Sequence, residues 1–444
     1  MKELKAKDYL LSVQHLFAMF GATILVPLIT GMNPSLALFS AGVGTLMFHV
    51  CTKFEVPVFL GSSFAFLGAI SAVVGGSATQ AEGVALAQGG IIGAGLIYLL
   101  FALIAYLIGA ETVKRIFPPI VTGPIIVIIG INLASTAVKD AFNIGTDEAF
   151  AEFTARGINS QTGLNILIAL FTLAVVVLCS VRAKRGIFKL IPVLIGIVFG
   201  YVLCVILNLF GVFDMDFSAI RNASWINIPF LTKDANGVPF MSLPKFDWGV
   251  VLSIAPIAIV TFMEHIGDIT TNGTVVGKNF LDKPGLHRTL LGDGLATLFA
   301  GLVGGPPNTT YSENTGVLAT TKNYNPLLLR ITAVFAIILG LFGKVGAVLQ
   351  TIPAPVKGGV ELVLFGMIAS VGIRSLAEAK LDFSQNRTTM IIGLTLVVGL
   401  GVGGIGGINC LIGDFSLNLS GLFVAVVVGV ILNLILPESK TKEN

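Results

Sequence analysis

Hydrophobic stretches long enough to cross a bilayer dominate the chain. A transmembrane helix needs about 20 mainly apolar residues. This rule predicts twelve helices, over residues 10–30, 35–52, 84–109, 117–135, 162–181, 187–211, 248–269, 287–304, 327–350, 356–374, 387–407 and 418–437. Two more segments, 57–76 and 306–320, lie in similar sequence but are interrupted by prolines, glycines and small polar residues, which weaken a continuous helix. The pattern therefore predicts an all-α membrane protein with fourteen transmembrane segments, of which the two discontinuous ones can contain short strands.

Composition supports a membrane location and excludes a nucleic-acid partner. Of the 444 residues, 55% are hydrophobic and 11% are charged, whereas soluble domains are about 25% charged. The formal net charge of +3 is dispersed over many loops. Nucleic-acid binding would need a concentrated basic face, which this distribution does not provide.

The distribution of basic residues predicts the orientation in the membrane. Lysine and arginine accumulate in the short cytoplasmic loops of membrane proteins. With fourteen crossings and both termini in the cytoplasm, 20 of the 27 lysines and arginines fall on the inner side. Omitting one interrupted segment would reverse every later loop, so we expect both segments to cross. The sequence thus predicts a multi-pass protein of the cell inner membrane.

A weak internal repeat divides the chain into two halves. Residues 14–15 recur 250 positions later as residues 264–265, and the same offset relates 61–63 to 311–313. Each half would contain seven crossings, and an odd number forces the halves into opposite orientations, as in many secondary transporters. Chance matching of a few residues is the alternative.

Two acidic residues, Glu264 and Glu313, interrupt sequence that otherwise suits a membrane interior. An ionisable side chain at bilayer depth costs at least ~2.5–3.5 kcal/mol, so it is expected to face a protein-lined cavity. Unwound backbone in two matching discontinuous segments offers free N–H and C=O groups to a ligand. We therefore predict a substrate site near the membrane midplane, although an external loop is the alternative for the second segment. The polar run 308–314 would contribute Tyr311, Ser312 and Asn314.

Asp268 lies four residues after Glu264 and projects from the same helix face. Two acids on one face favour a proton relay or a cation site, unless they only contact neighbouring helices. His265 points about 100° away and is expected to be a packing residue. Gln14 and His15 could hydrogen-bond into the site or fix helix contacts, and both alternatives stay open.

Other polar residues receive no functional role from the sequence. Asp293, Lys357 and Glu361 lie near segment ends, where side chains commonly reach toward the interface. Phosphate-loop, nucleophile-elbow and HExxH motifs are absent from the sequence. We therefore expect no enzymatic activity, no cofactor and no metal.

Four motifs resemble the nucleobase/ascorbate transporter family, also called nucleobase:cation symporter-2, and within it the bacterial uracil permeases. They cover residues 14–23, 61–66, 264–268 and 307–314, and a family signature follows at 313–322. The resemblance implies a core domain from 1–109 and 248–350, and a gate domain from 110–211 and 351–437. It also implies uracil import with a proton as the coupling ion, and a homodimer formed through the gate domain.

The resemblance also implies roles for individual residues. Glu264 and Glu313 would hold the base, and the backbone of Phe64 and Ser312 would complete its edge. The supporting residues would include Ser63 and Asn314 beside Gln14 and His15. The purine branch typically carries Gln at the position of Glu313, so this chain favours a pyrimidine, with a purine such as xanthine or urate as the alternative.

One departure from the pattern concerns proton coupling. Some uracil permeases carry His in place of Asp268, and Gly is common in place of Ser312. Whether Asp268 or Glu264 takes the coupled proton therefore stays open. Two further alternatives are a passive channel and an intramembrane metalloenzyme that uses Glu264, His265, Asp268 and His15.

Overall fold

The computed structural model describes residues 6–183, 188, 191–234, 237–412 and 415–437. Several basic residues assigned to the inner side, including Lys2, Lys5, Lys184, Arg185 and Lys440, lie outside these ranges. Ten helices of the first half are α1 (Ala6–Thr30), α2 (Pro34–Cys51), α3 (Leu67–Gly75), α4 (Gln80–Ile108), α5 (Ala110–Ile116), α6 (Pro119–Asn132), α7 (Ala134–Phe142), α8 (Asp147–Arg156), α9 (Ser160–Arg182) and α10 (Pro192–Leu209).

The second half adds ten helices. These are α11 (Ser218–Asn222), α12 (Trp248–Ile254), α13 (Ala258–Val276), α14 (Leu286–Val303), α15 (Ser312–Thr321), α16 (Pro326–Leu341), α17 (Gly343–Gln350), α18 (Ala354–Glu378), α19 (Asn386–Gly404) and α20 (Gly421–Ile435). Short strands form two antiparallel pairs, β1 (Leu60–Ser62) with β2 (Asn308–Thr310), and β3 (Ile408–Ile412) with β4 (Phe415–Leu419).

The membrane character and the helical fold class are confirmed. Within the described residues, nine helices are long and apolar enough to span a bilayer, and three shorter apolar helices accompany them. Both interrupted segments contain a short strand followed by a helix, as the sequence allowed. The count of fourteen crossings stays a prediction.

Local sequence explains where several helices begin and break. α2 begins after Asn33, whose side chain accepts a hydrogen bond from the backbone N–H of Ser35, and Pro34 occupies the first helical position. Pro256 lies in a tight helical turn between α12 and α13, which the sequence had suggested to be one continuous helix. The predicted helix 327–350 is likewise divided, into α16 and α17.

The helices pack in two groups. The first bundle contains α1–α4, α12–α16 and the pair β1–β2, and the second contains α6, α7, α9, α10 and α18–α20. Glycines let helices approach closely in both. A Cβ atom at Gly95 of α4 would lie 2.9 Å from the backbone nitrogen of Leu298 in α14, and one at Gly372 of α18 would lie 2.7 Å from the backbone nitrogen of Val127 in α6. That the predicted core and gate domains move relative to each other stays a prediction.

Candidate functional site

The strand pair β1–β2 joins the two discontinuous segments at the centre of the first bundle. Leu60 pairs with Thr310 and Ser62 with Asn308. The backbone N–H of Ser63 extends the pairing by donating to the carbonyl oxygen of Pro307 at 2.9 Å. The segments lie almost 250 positions apart in sequence, so only the tertiary fold brings them together.

Each strand is followed directly by the start of a helix. A helical turn over Phe64–Phe66 leads from β1 into α3, and α15 begins at Ser312 after β2. The first N–H groups of a helix have no intrahelical partner, and the preceding residues, Ser63 and Tyr311, make no side-chain capping hydrogen bond. Two sets of backbone donors are therefore available beside the strand pair.

Tyr311 holds the strand pair together. Its hydroxyl donates to the carbonyl oxygen of Ser62 at 2.9 Å, and its ring occupies the space that a Cβ atom at Gly61 would need. The hydroxyl of Thr45 further accepts the N–H of Leu60 at 2.9 Å. The Tyr311 side chain was predicted to contact substrate, but its hydroxyl is engaged within the protein.

Three carboxyl groups meet next to the strand pair. Asp268 accepts a hydrogen bond from Thr310 at 2.9 Å and another from Ser312 at 2.5 Å. The carboxyl group of Glu264, one turn earlier on α13, interacts electrostatically with those of Asp268 and Glu313. The structure thus brings together the acids that the sequence placed 49 positions apart, at 264 and 313.

Asn272, an additional side chain on α13, hydrogen-bonds to both discontinuous segments on the helix face that carries Glu264 and Asp268. Asn272 donates from Nδ2 to the carbonyl oxygen of Pro57 and to the hydroxyl of Thr315, both at 3.0 Å. Sequence reasoning missed this residue. The available signal was its spacing, because Asn272 lies four residues after Asp268 on the same helix face.

The acidic cluster borders open space. Gly267 and Gly316 are exposed, and an added Cβ atom would meet no atom within 4 Å at either position. From the acids, exposed polar positions continue toward the C-terminal ends of both helices, through Thr271 and Thr274 on α13 and through Thr320 on α15. The acids therefore lie beside accessible polar positions rather than within apolar packing.

Asn314 connects the site to α1. Its Nδ2 donates to the backbone carbonyl of His15 at 3.0 Å and lies 3.2 Å from Nδ1 of the same residue. His15 is fully buried and its Nε2 has no partner within the described residues. Of the two alternatives for His15, this geometry corresponds to a helix contact next to Glu313. Gln14 is half-buried at the neighbouring position.

The predicted first-segment residues lie at the edge of the same region. Ser63 is buried, and its hydroxyl has no hydrogen-bond partner among the described residues. Phe64 is partly buried and makes an edge-on contact with Phe365 of α18, with 5.9 Å between ring centroids. This contact joins the first bundle to the second beside the start of α3.

The fold agrees with the expectation for His265 and corrects those for Asp293, Glu361 and Lys357. His265 is a packing residue as predicted, but its partner is Asp293, which binds its Nδ1 at 2.8 Å while Thr289 binds its Nε2 at 2.9 Å. Asp293 and Glu361 are fully buried and do not reach the membrane interface. Lys357 is paired with Asp140 at 3.5 Å and is 17% exposed. These side chains are enclosed or paired inside the helix bundles, so they do not extend toward the interface.

Among the described residues, the geometry gives no support to the metalloenzyme alternative. Within the described part of the chain, no group of three or more His, Cys, Asp and Glu side chains is arranged to hold a metal ion. The two histidines considered for such a site have different partners, since His15 contacts Asn314 and His265 contacts Asp293.

Comparison with known proteins identifies the family. A family model described as "Permease family" matches residues 6–404. This chain belongs to that permease family. It is 45% identical to the uracil permease of Bacillus caldolyticus over 96% of this chain and 91% of the relative. The probable uracil permease of Haemophilus influenzae is 42% identical over 99% of this chain and 96% of the relative. The uracil permease of Escherichia coli K12 is 37% identical over 96% of this chain and 90% of the relative.

Solved structures support the fold of the permease. The transmembrane domain of the cyanobacterial bicarbonate transporter BicA matches with a TM-score of 0.65 at 17% identity, over 97% of both chains. The murine anion transporter Slc26a9 matches with a TM-score of 0.68 at 13% identity, over 98% of this chain and 68% of the other. At these identities the likeness concerns the fold alone.

Proposed function

We propose that this permease imports uracil together with protons. The observation that carries the proposal is the meeting of Glu264 and Glu313 with two uncapped helix starts. Uracil has two N–H donors and two carbonyl acceptors on one flat ring. Carboxylate oxygens can accept the donors, and the free backbone N–H groups at Phe64 and Ser312 can donate to the carbonyls. Three relatives named as uracil permeases, at 37–45% identity, support this substrate.

Glu264 is proposed to take the coupled proton. Asp268 already accepts two hydroxyl hydrogen bonds, and these would be disturbed if it were protonated on the accepting oxygens. The Glu264 carboxyl makes no such hydrogen bond within the described residues and is surrounded by Asp268, Glu313 and Asp293. Adding one proton to Glu264 relieves the repulsion among these acids. Proton binding and substrate binding would then occur in the same cavity.

Transport is proposed to follow from movement of the first bundle, which carries the acids, against the second. The contact between Phe64 and Phe365 lies between the bundles next to the site and would change during such movement. The accessible polar faces of α13 and α15 lead toward Lys278 and Lys322, on the side predicted to be cytoplasmic. The described conformation would therefore be open to the inside.

The permease would lie in the cell inner membrane with both termini cytoplasmic, and a homodimer through the second bundle stays a prediction.

The decisive experiment measures labelled uracil in proteoliposomes that contain the purified permease. We expect accumulation above the external concentration when a proton gradient is imposed, and its collapse on addition of a protonophore. Equilibration without accumulation would instead indicate the passive-channel alternative. Unlabelled xanthine and urate serve as competitors, and stronger competition by either than by unlabelled uracil would favour the purine alternative.

A further inference from the structure

A second buried acid lies outside the substrate site. Glu361 of α18 is 0% exposed, and neither of its carboxyl oxygens accepts a hydrogen bond from a hydroxyl, amide or backbone donor within the described residues. Its electrostatic neighbours are Asp140 at the end of α7 and Lys357 one turn earlier on α18. Lys357 and Asp140 themselves form an ion pair at 3.5 Å. The second bundle thus contains two carboxyl groups and a single ammonium group in one place.

The charges in this cluster balance only if one carboxyl group is neutral. An ionised carboxylate that is buried without a partner is very unfavourable, and in practice such a group is neutralised. Lys357 is already paired with Asp140, so a charged Glu361 would be the excess charge. Glu361 has no hydroxyl or amide donor that could stabilise a carboxylate, in contrast to Asp268 in the substrate site.

The surrounding helices supply no further compensating charge. α6 has no ionisable side chain, and the ammonium group of Lys139 on α7 lies 5.0 Å from the ring centre of Phe150. On α10, the hydroxyl of Tyr201 bonds to Thr351 and Cys204 carries a thiol, which is uncharged at neutral pH. The remaining ionisable residues lie near the C-terminal ends of α9 and α18, namely Cys179, Arg182, Arg374 and Glu378.

We propose that Glu361 is a proton-binding site of the second bundle, separate from the substrate site, and that its bound proton is shared with Asp140. The proton adds to the carboxylate without any other bond change. The site lies at a close contact of α7 and α18, because a Cβ atom at Gly358 would overlap the backbone of Ala141. Loss of the proton would place an uncompensated negative charge in this contact, so alkaline pH would loosen the packing of α7 against α18.

Infrared spectroscopy of the purified permease tests the proposal directly. A protonated carboxylic acid has a carbonyl stretch that a carboxylate lacks. Other protonated acids, such as Glu264, contribute to the same band, so the test is the difference between wild type and variant. We expect a component of the band at neutral pH that is lost in Glu361→Gln and retained in Glu378→Gln, which alters an exposed acid of the same helix. An identical band in the wild type and in Glu361→Gln would overturn the proposal.

Thermal unfolding provides a second readout. The folded wild type holds a proton that the unfolded chain releases, so its melting temperature should fall as the pH is raised above neutrality. Glu361→Gln should show a smaller fall in melting temperature, and equal falls in the two proteins would contradict the proposal.

If Glu361→Gln does not fold, Asp140→Asn replaces it. In that variant Lys357 is free to pair with Glu361, so the component of the infrared band assigned to Glu361 should disappear, and its persistence would also count against the proposal.

Discussion

Ser312 donates a hydrogen bond to Asp268 at 2.5 Å, although the two residues lie 44 positions apart. Ser312 is the first residue of α15, and Asp268 lies in the middle of α13. With the bond from Thr310, this contact fixes the start of α15 against the acidic face. Glu264, proposed to bind the proton, lies on α13, and Glu313, proposed to bind the substrate, lies on α15. The hydrogen bonds of Asp268 therefore connect the two helices that carry these acids.

Replacing Asp268 with Asn should change the pH dependence of uptake. The amide keeps one oxygen as an acceptor for Thr310 or Ser312 but removes a negative charge beside Glu264. We expect weaker uptake and a shift of the dependence of initial uracil uptake toward lower external pH, because Glu264 loses a neighbouring negative charge that favours its protonation. An unchanged pH profile would remove Asp268 from coupling.

Asp382→Asn is the matched control for that measurement. Asp382 also accepts a serine hydroxyl, from Ser384 at 2.6 Å, but in an exposed turn. The hydrogen bonds from Ser384 lower the pKa of Asp382 below its ordinary value. The substitution thus removes a similar aspartate outside the acidic cluster and should leave the uptake profile as in the wild type.

Glu313→Gln should strongly reduce uracil binding. An amide supplies one oxygen acceptor and adds donors that face the N–H groups of the base. Loss of a hydrogen bond to a charged group costs about 1.5–3 kcal/mol, or roughly 10- to 150-fold in affinity. Competition for labelled uracil uptake by a panel of bases measures this effect. Wild-type uracil uptake in the variant would contradict the assigned site, and improved competition by xanthine would indicate that position 313 selects between pyrimidine and purine.

Gly61→Ala should destabilise the strand pair. The new Cβ atom would overlap the ring of Tyr311, whereas at Gly68 it would meet no atom within 4 Å. Overpacking of this kind costs about 1–3 kcal/mol. We expect a lower melting temperature and reduced uptake for Gly61→Ala, with Gly68→Ala close to the wild type in melting temperature. Equal melting temperatures of the two variants would show that the Gly61 contact is not required.

Asn272→Leu should loosen both discontinuous segments from α13. The substitution removes the donor that satisfies the buried carbonyl of Pro57 and the hydroxyl of Thr315. An unsatisfied buried polar group costs about 1–3 kcal/mol. Thermal unfolding should detect this loss, with Thr271→Val as the control because the Thr271 side chain is exposed on the neighbouring position. A wild-type melting temperature for Asn272→Leu would contradict the bridging role.

The hydrophobic pattern was a good guide to the helices because lipid and close packing both demand long apolar segments. It failed where tertiary contacts break a helix without a strong local signal, as at Phe342 between α16 and α17. The pattern also missed the hairpin β3–β4, which lies mostly in the short interval between two predicted helices that was left without a structural prediction. Inter-strand hydrogen bonds depend on a partner segment that hydropathy does not identify.

The sequence by itself determined that the chain spans a membrane, that two segments are discontinuous, and that Glu264 and Glu313 are unusual for their surroundings. Each of these follows from the cost of polar groups in lipid, which depends on residue type and local sequence alone. Only the tertiary structure decided which polar groups meet. The bonds of Asp268 to Thr310 and Ser312, and the burial of Glu361 beside Asp140, join residues far apart in the chain. Such contacts form only when helices pack, because packing brings side chains from distant segments within hydrogen-bond distance.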